Sequence, residues 1–244
     1  MTYVIVGASA GLGRALATQF AAAGHDLILV ASDERDLLAL VADLTIKYGV
    51  KAIPIAADVS VGDGYLDGIA RAGHDMGGID GLLFPLGASL AEDDCSYDPV
   101  RAAWITQVNY GSVVSGVTRL LPSLLSRPRA SVVGFGSVAA LRGRHRNVTY
   151  AAAKRALQTF FESLRHRCAG SPLKIQFYVL GYMDTELARG LRSPIPKGNV
   201  NALSREVLRR LDRDLGVVYY PRFWKPLSLV VRGIPWWVFR RLDA

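Results

Sequence analysis

Only two cysteines occur in 244 residues, Cys95 and Cys168, far apart and without CxxC spacing. That count argues against a disulfide framework and against a cysteine-based zinc site. Four histidines form no HxxxH or HxH pair, so no metal centre is expected either. No apolar run reaches the roughly 18 residues of a spanning helix. The start, Met1-Thr2-Tyr3, runs straight into Val4-Ile5-Val6 without a basic leader or cleavage site, which makes export unexpected and the cytoplasm the default compartment. Internal repeats and low-complexity segments are also missing.

What is present is a folded, hydrophobic chain: half its residues are apolar, which excludes disorder for most of its length. Charge is unevenly placed. Residues 1–120 carry 7 basic and 14 acidic side chains, net −7, and residues 121–244 carry 22 and 7, net +15. A basic C-terminal half suits an anionic partner: nucleic acid, a phosphorylated substrate or an acidic membrane surface.

Short apolar runs alternate with helical stretches. Val4–Val6, Leu27–Ala31, Ala52–Ala56, Gly81–Phe84, Ser131–Phe135 and Ile175–Leu180 read as strands buried on both faces. Between them, Leu12–Ala23, Asp36–Tyr48, Asp63–Asp75, Val100–Leu125 and Tyr150–Cys168 read as helices. The alternation predicts an α/β fold with a doubly wound parallel sheet. Asp184–Asn201 reads as a loop with a short helix, Ser204–Leu215 as a basic helix, and Val217–Tyr220 as a last strand. The expected organisation is a single domain over 1–220 with an aromatic, basic helical extension over 221–244.

After the first strand comes Gly7-Ala8-Ser9-Ala10-Gly11-Leu12-Gly13, opening a helix. Glycines let the backbone approach a pyrophosphate whose charge meets free N–H groups at a helix N-terminus. Downstream lie Asn109, Ser137 and Tyr150-Ala151-Ala152-Ala153-Lys154. This set, in this order, resembles the short-chain dehydrogenase/reductase family over residues 1 to about 185, which implies a Rossmann-type fold and an NAD(P)-dependent enzyme. Tyr150 and Lys154, at i and i+4, share one helix face. An adjacent ammonium favours phenolate and would lower a phenol whose free pKa is about 10. Tyr150 is then the general acid in reduction. Ser137, at the C-terminal end of a strand, would hydrogen-bond the carbonyl oxygen.

The resemblance further implies that Lys154 holds the nicotinamide ribose, Asn109 a relay water, Asp58 with Val59 the adenine, and Thr185 the carboxamide. Cofactor contacts are likewise expected from Gly7, Ser9, Ala10, Gly11, Leu12, Gly13, Gly87 and Tyr150. For Asp58 a plain turn or helix-entry role stands beside the adenine role. Two departures from the family pattern stand out: Phe84-Pro85-Leu86-Gly87 replaces Asn-Asn-Ala-Gly, and Leu180-Gly181 replaces Pro-Gly. At the end of the second strand Ala31 stands where an acid would select NAD. Ser32 and Arg35, with Arg14 in addition, favour NADP, whereas Asp33 and Glu34 pull toward NAD.

Three arginines, Arg142, Arg144 and Arg146, lie between Ser137 and Tyr150; at least one is expected to meet an anionic group on the substrate, the alternative being a solvated loop. The tail, residues 219–244, holds seven aromatics and five basic residues against one acid, Asp243. From Leu227 its apolar positions form a helical stripe that Pro235 interrupts. It suits either an interfacial anchor on anionic lipid or packing on the protein itself or on a second copy. With Leu86-Gly87, Asn109-Tyr110 and Ser137-Val138-Ala139, the tail resembles the decaprenylphosphoryl-keto-pentose reductases of cell-wall arabinose synthesis. That implies reduction of a keto-sugar on a polyprenyl phosphate, in the cytoplasm or peripherally at the inner face of a membrane. A 3-oxoacyl-thioester or steroid-like ketone reductase is the alternative, and a non-catalytic nucleotide-sensing protein a lower one. The aromatics do not line a basic groove, so nucleic acid is not an expected partner. The resemblance also implies a homodimer or homotetramer.

Overall fold

The computed structural model describes residues 1–89, 98–184 and 196–242. Seven strands, β1 (Thr2–Val6), β2 (Asp26–Ala31), β3 (Ala52–Ala56), β4 (Gly81–Phe84), β5 (Ala130–Ser137), β6 (Leu173–Leu180) and β7 (Gly216–Tyr220), form one parallel sheet. Their order is β3-β2-β1-β4-β5-β6-β7. The chain moves outward from β1 to β3, returns, and adds β4 on the other side of β1. Loops leaving β1 and β4 therefore diverge, and a crevice opens at the C-terminal ends of the strands.

Alternation along the strands sorts side chains onto two cores. Val4, Val6, Leu82, Phe84 and Val132 pack on one face with α3 (Tyr65–Asp75), α5 (Ser112–Leu125) and α6 (Val148–Arg167), through Ile69, Val117, Leu157 and Phe161. Ile5, Leu27, Leu29, Leu83 and Val133 pack on the other with α1 (Gly11–Ala22), α2 (Glu34–Tyr48) and α7 (Val200–Arg209), through Leu16, Phe20, Leu37, Leu44 and Leu203. The doubly wound α/β fold expected from the sequence is the one found.

Several boundaries differ from the sequence pattern, each for a local reason. The stretch 100–125 is not one helix. It divides into α4 (Pro99–Thr106), a single π-helical turn (Gln107–Gly111) and α5. Asn109 Nδ2 donates to Ile105 O at 2.9 Å and Ser112 Oγ to Val108 O at 2.9 Å, and such back-bonding competes with the regular ladder. The helix expected over 204–215 begins earlier, because Asn199 caps it by accepting from Ala202 N. It also ends earlier, where Gln176 Nε2 draws the carbonyls of Arg210 (2.6 Å) and Arg213 (2.7 Å) onto the sheet. Most of the loop expected over 184–201 lies outside the described residues.

The tail forms two helices, α8 (Trp224–Gly233) and α9 (Trp236–Phe239). Ile234, extended at ψ 123° ahead of Pro235, separates them, since a residue before proline disfavours the helical region. One side of the tail packs inward through Trp224, Ser228 and Phe239, while Leu229, Val230, Trp236 and Trp237 stay exposed. Among the described residues, no helix is long and apolar enough to cross a membrane.

Candidate active site

A cavity of about 850 Å³ runs across the C-terminal ends of the strands, from the glycine turn to the tail. Its first end is the turn after β1. Gly7 (φ +94°) and Gly11 (φ +49°) adopt left-handed conformations that favour glycine. The amides of Gly7 and Ala8 both donate to Val30 O, at 2.8 and 3.0 Å, fastening the turn to β2. A Cβ on Gly13 would overlap Gly7 O, so this glycine allows helix and turn to touch. Ser9, Ala10, Gly11 and Leu12 line the cavity, and Gly13 lies beneath them. Unlike α2, α4 and α7, α1 begins with no side-chain cap. Its first N–H groups face an open cradle shaped for phosphate. The residues present therefore fit a dinucleotide.

The adjoining wall is Ala31, Ser32, Ala57, Asp58 and Val59. Asp58 accepts from Ser60 N (2.8 Å) and Ser60 Oγ (2.7 Å), so its turn role and its place on the wall coexist. Arg35 corrects an expectation: it is not on the wall, its side chain is 87% exposed, and it pairs with Asp36 at 3.4 Å. Helical geometry turns it outward one residue after the start of α2. Asp33 accepts from Asp36 N at 2.9 Å through one carboxylate oxygen as the cap of α2, and it does not line the cavity. Arg14 donates through Nε to Ser9 O at 2.8 Å, which places this cation against the glycine turn.

At the opposite end three of the expected residues converge. Ser137 closes β5 and its Oγ accepts from Ala139 N at 3.1 Å, starting a 3-10 turn over Val138–Leu141. Tyr150 is hydrogen-bonded to Ser137. Lys154 Nζ lies 5.8 Å from the centroid of the Tyr150 ring. That ammonium is buried at 2% exposure and donates to Leu86 O (2.6 Å) and Phe135 O (3.1 Å). Burial lowers Lys154 from 10.5 to about 7. Burial also raises the Tyr150 phenol, opposed by the Ser137 hydrogen bond and the charge of Arg144. The expectation that the lysine pulls the phenol down is therefore corrected: desolvation governs both groups, and Ser137 and Arg144 supply the counter-pull.

Asn109 has a structural part that the sequence did not show. Its side chain is fully buried and its amide is spent on Ala88 N (3.2 Å), Ala88 O (2.7 Å) and Ile105 O. It positions the Leu86-Gly87-Ala88 segment, whose Leu86 carbonyl receives Lys154. Thr185 lies outside the described residues.

Residues 1–195 match the short chain dehydrogenase family. The chain belongs to that family. It is an oxidoreductase of the kind that acts on alcohol and ketone groups, and the cradle described above is consistent with an NAD(P) cofactor. A hydroxysteroid 11-beta-dehydrogenase 1-like protein of Macaca fascicularis is 31% identical over 255 residues, covering 99% of this chain and 87% of that one. A short-chain dehydrogenase from Sphingobium yanoikuyae, solved in complex with NADPH, superposes with a TM-score of 0.81 at 23% identity, over 100% of this chain and 96% of that one. A 3-oxoacyl (acyl-carrier-protein) reductase from Agrobacterium tumefaciens C58, with NADP bound, gives 0.78 at 25% identity, over 89% and 92%.

In this short-chain dehydrogenase the three loop arginines take different places. Arg142 is a strut: its guanidinium donates to Val231 O (3.3 Å) and Ile234 O and lies 4.2 Å from the Phe239 ring centroid. It ties the tail to the turn after β5 through Nη1 and also lines the cavity. Arg144 and Arg146 line the cavity as well, the first with its charge acting on Tyr150. The sequence reading missed the rest of this end, formed by Trp104, Asn147, Tyr182, Trp224, Val231 and Phe239. Asn147 had a readable signal: it opens α6 in the left-handed region (φ 54°), where asparagine is enriched. The tail residues had none, since only long-range contact brings them here.

Proposed function

We propose that this short-chain dehydrogenase uses NADPH to reduce the ketone of a bulky, amphipathic, anionic substrate. The observation that carries the reading is the meeting of Ser137, Tyr150 and Lys154 at one end of a cavity whose other end is the glycine cradle. A bound nicotinamide, reduced at the start and oxidised at the end, would supply the hydride for the carbonyl carbon. Tyr150 gives its proton to the carbonyl oxygen, so the ketone becomes an alcohol. A phenol raised by burial stays loaded with that proton at neutral pH. Ser137 shares its hydroxyl with the same oxygen as charge develops there. Lys154, anchored by two carbonyls, keeps a third N–H for the ribose side of the cavity.

NADPH is favoured over NADH by Ala31 in place of an acid, by the place of Asp33 off the cavity wall, and by Ser32 on the wall and Arg14 against the glycine turn. For the substrate, Trp104, Leu141, Val231 and Phe239 supply an apolar wall and Arg144 with Arg146 a cationic one. The keto-sugar on a polyprenyl phosphate implied by the sequence resemblance is one molecule of this class. The relatives named above give that particular substrate no support, and their names point to steroid and 3-oxoacyl ketones. Purified protein with NADPH is expected to consume it with 3-oxodecanoate. Arg144→Ala should raise KM for that ketone about tenfold, the worth of one charge-assisted hydrogen bond. NADPH left intact with keto-sugar phosphate, 3-oxoacyl and steroid ketones alike overturns the reading.

A second element concerns location. The outer side of the tail shows Leu229 (70% exposed), Val230 (63%), Trp236 (65%) and Trp237 (61%). Arg232, Arg240 and Arg241 belong to the same two helices or follow them directly. Aromatic rings with nearby cations suit the headgroup layer of an anionic membrane. Co-sedimentation with phosphatidylglycerol vesicles should fall several-fold in Trp236→Ser/Trp237→Ser, each tryptophan contributing a kcal/mol or so of buried area. Equal recovery of both proteins removes the membrane contact and leaves the face to a second copy. A homodimer or homotetramer through α5 and α6 belongs to the same proposal.

A further inference from the structure

Two buried side-chain nitrogens have no hydrogen-bond partner among the described residues: Nε of Arg144 and Nε1 of Trp224. Both residues line the same cavity. Native proteins seldom leave such donors unmet, and an unmet donor in a ligand cavity marks where the ligand brings an acceptor. Trp224 comes from the tail, is 5% exposed, and lies so close to the end of β6 that a Cβ on Gly181 would overlap its indole nitrogen. Rings of Tyr182 (6.1 Å) and Phe223 (5.7 Å) flank it. Arg142 fixes the end of the same helix by its bonds to Val231 and Ile234.

Resting on the ketoreductase reading above, we infer that Trp224 is a specificity-determining residue: its indole N–H, with Nε of Arg144, donates to oxygen acceptors that the substrate carries beside its ketone. An oxygenated or anionic ketone meets both donors. A hydrocarbon ketone of the same length leaves them dry and unpaired, and sites built on hydrogen bonds reject such analogues strongly. The tail is thus part of the selectivity filter.

The test pairs 3-oxodecanoate with decan-3-one, which differ by a carboxylate against a methyl group. Wild-type protein with NADPH should prefer the first, and Trp224→Phe should cut that preference about tenfold through KM. Benzothienylalanine at position 224, which keeps the ring volume and lacks the N–H, should do the same. Loss of rate on both ketones alike shows a merely structural role and overturns the inference, as does an unchanged preference.

Indole resonances of nitrogen-15-labelled protein give a readout without turnover. The Trp224 signal should move when 3-oxodecanoate is added to the NADP⁺-saturated protein and stay still with decan-3-one. A shift complete on NADP⁺ alone assigns the acceptor to the cofactor carboxamide and overturns the proposal. A shift with ketone but no NADPH consumption keeps Trp224 and removes the reductase reading. Turnover of 3-oxodecanoate with an unmoved indole signal does the reverse, and neither response removes both.

Discussion

Tyr150→Phe is expected to lower kcat by about 10²–10⁴, the usual worth of a positioned proton donor. The ring stays, so packing against Lys154 is preserved. Cofactor affinity should remain within about tenfold, since only one hydroxyl is lost. The split between kcat and cofactor binding separates a proton donor from a residue that only shapes the cavity. Burial holds the phenol above its ordinary range. It therefore stays protonated below and through neutral pH, and reduction should not fade by premature loss of its proton as pH rises toward 9. Stopped-flow measurement of NADPH consumption in wild type and variant checks both points. A variant with wild-type kcat would detach Tyr150 from the chemistry.

The sheet and the catalytic end were legible for different reasons. Strands such as Leu27–Ala31 and Ile175–Leu180 are apolar on both faces because helices cover both faces, and that leaves a mark in the sequence itself. Tyr150 and Lys154 were legible because a helix repeats every 3.6 residues, so spacing fixes their common side. The same local logic misplaced Arg35 and missed the tail contacts of Arg142. Spacing put Arg35 next to Ser32, but the first turn of α2 carries it outward to Asp36. Arg142 was one of three loop arginines of which at least one was expected to meet an anionic group. Its true partners, Val231, Ile234 and Phe239, are some ninety positions away, and no local pattern encodes them.

Asn109 shows a third case. Its identity was readable and its structural contacts were not. The side chain works through the backbone of Ala88, and so on the carbonyl of Leu86 that holds Lys154. This also accounts for the tolerated change at 84–87. What the lysine needs from that loop is a carbonyl in place, and a main-chain group can be supplied by Pro85-Leu86-Gly87 as well as by another sequence. At 181 the glycine is kept for a different cause: the indole of Trp224 occupies the space a Cβ would take.

Lys154 carries the largest expected effect on stability. Its native pKa is about 7 against 10.5 for the ordinary side chain. Between those values the unfolded chain binds the proton more tightly than the native one. Stability then rises with pH across that window, because the slope follows the excess protons on the unfolded state. Below about 7 both states are protonated and the lysine contributes no slope. From pH 7 to pH 9 the apo protein should gain about 2 kcal/mol from this group, near the limit of about 1.4 kcal/mol per pH unit. Above pH 10 the sign reverses. Burial holds Tyr3 up at about 12 and raises Tyr65 and Tyr178 further, so the unfolded chain loses those protons first. Urea unfolding at pH 7 and pH 9, run on wild type and Lys154→Met, isolates the lysine, since every other titrating group is common to both. The methionine fills the same channel without a charge to desolvate, so the variant should lose that gain. At pH 7 its stability should exceed the wild type, unless the unmet carbonyls of Leu86 and Phe135 offset the relief. Parallel slopes in the two proteins would mean that Lys154 keeps its full charge in the fold. The ammonium would then be a permanent cation beside Tyr150, able to pull the phenol down after all.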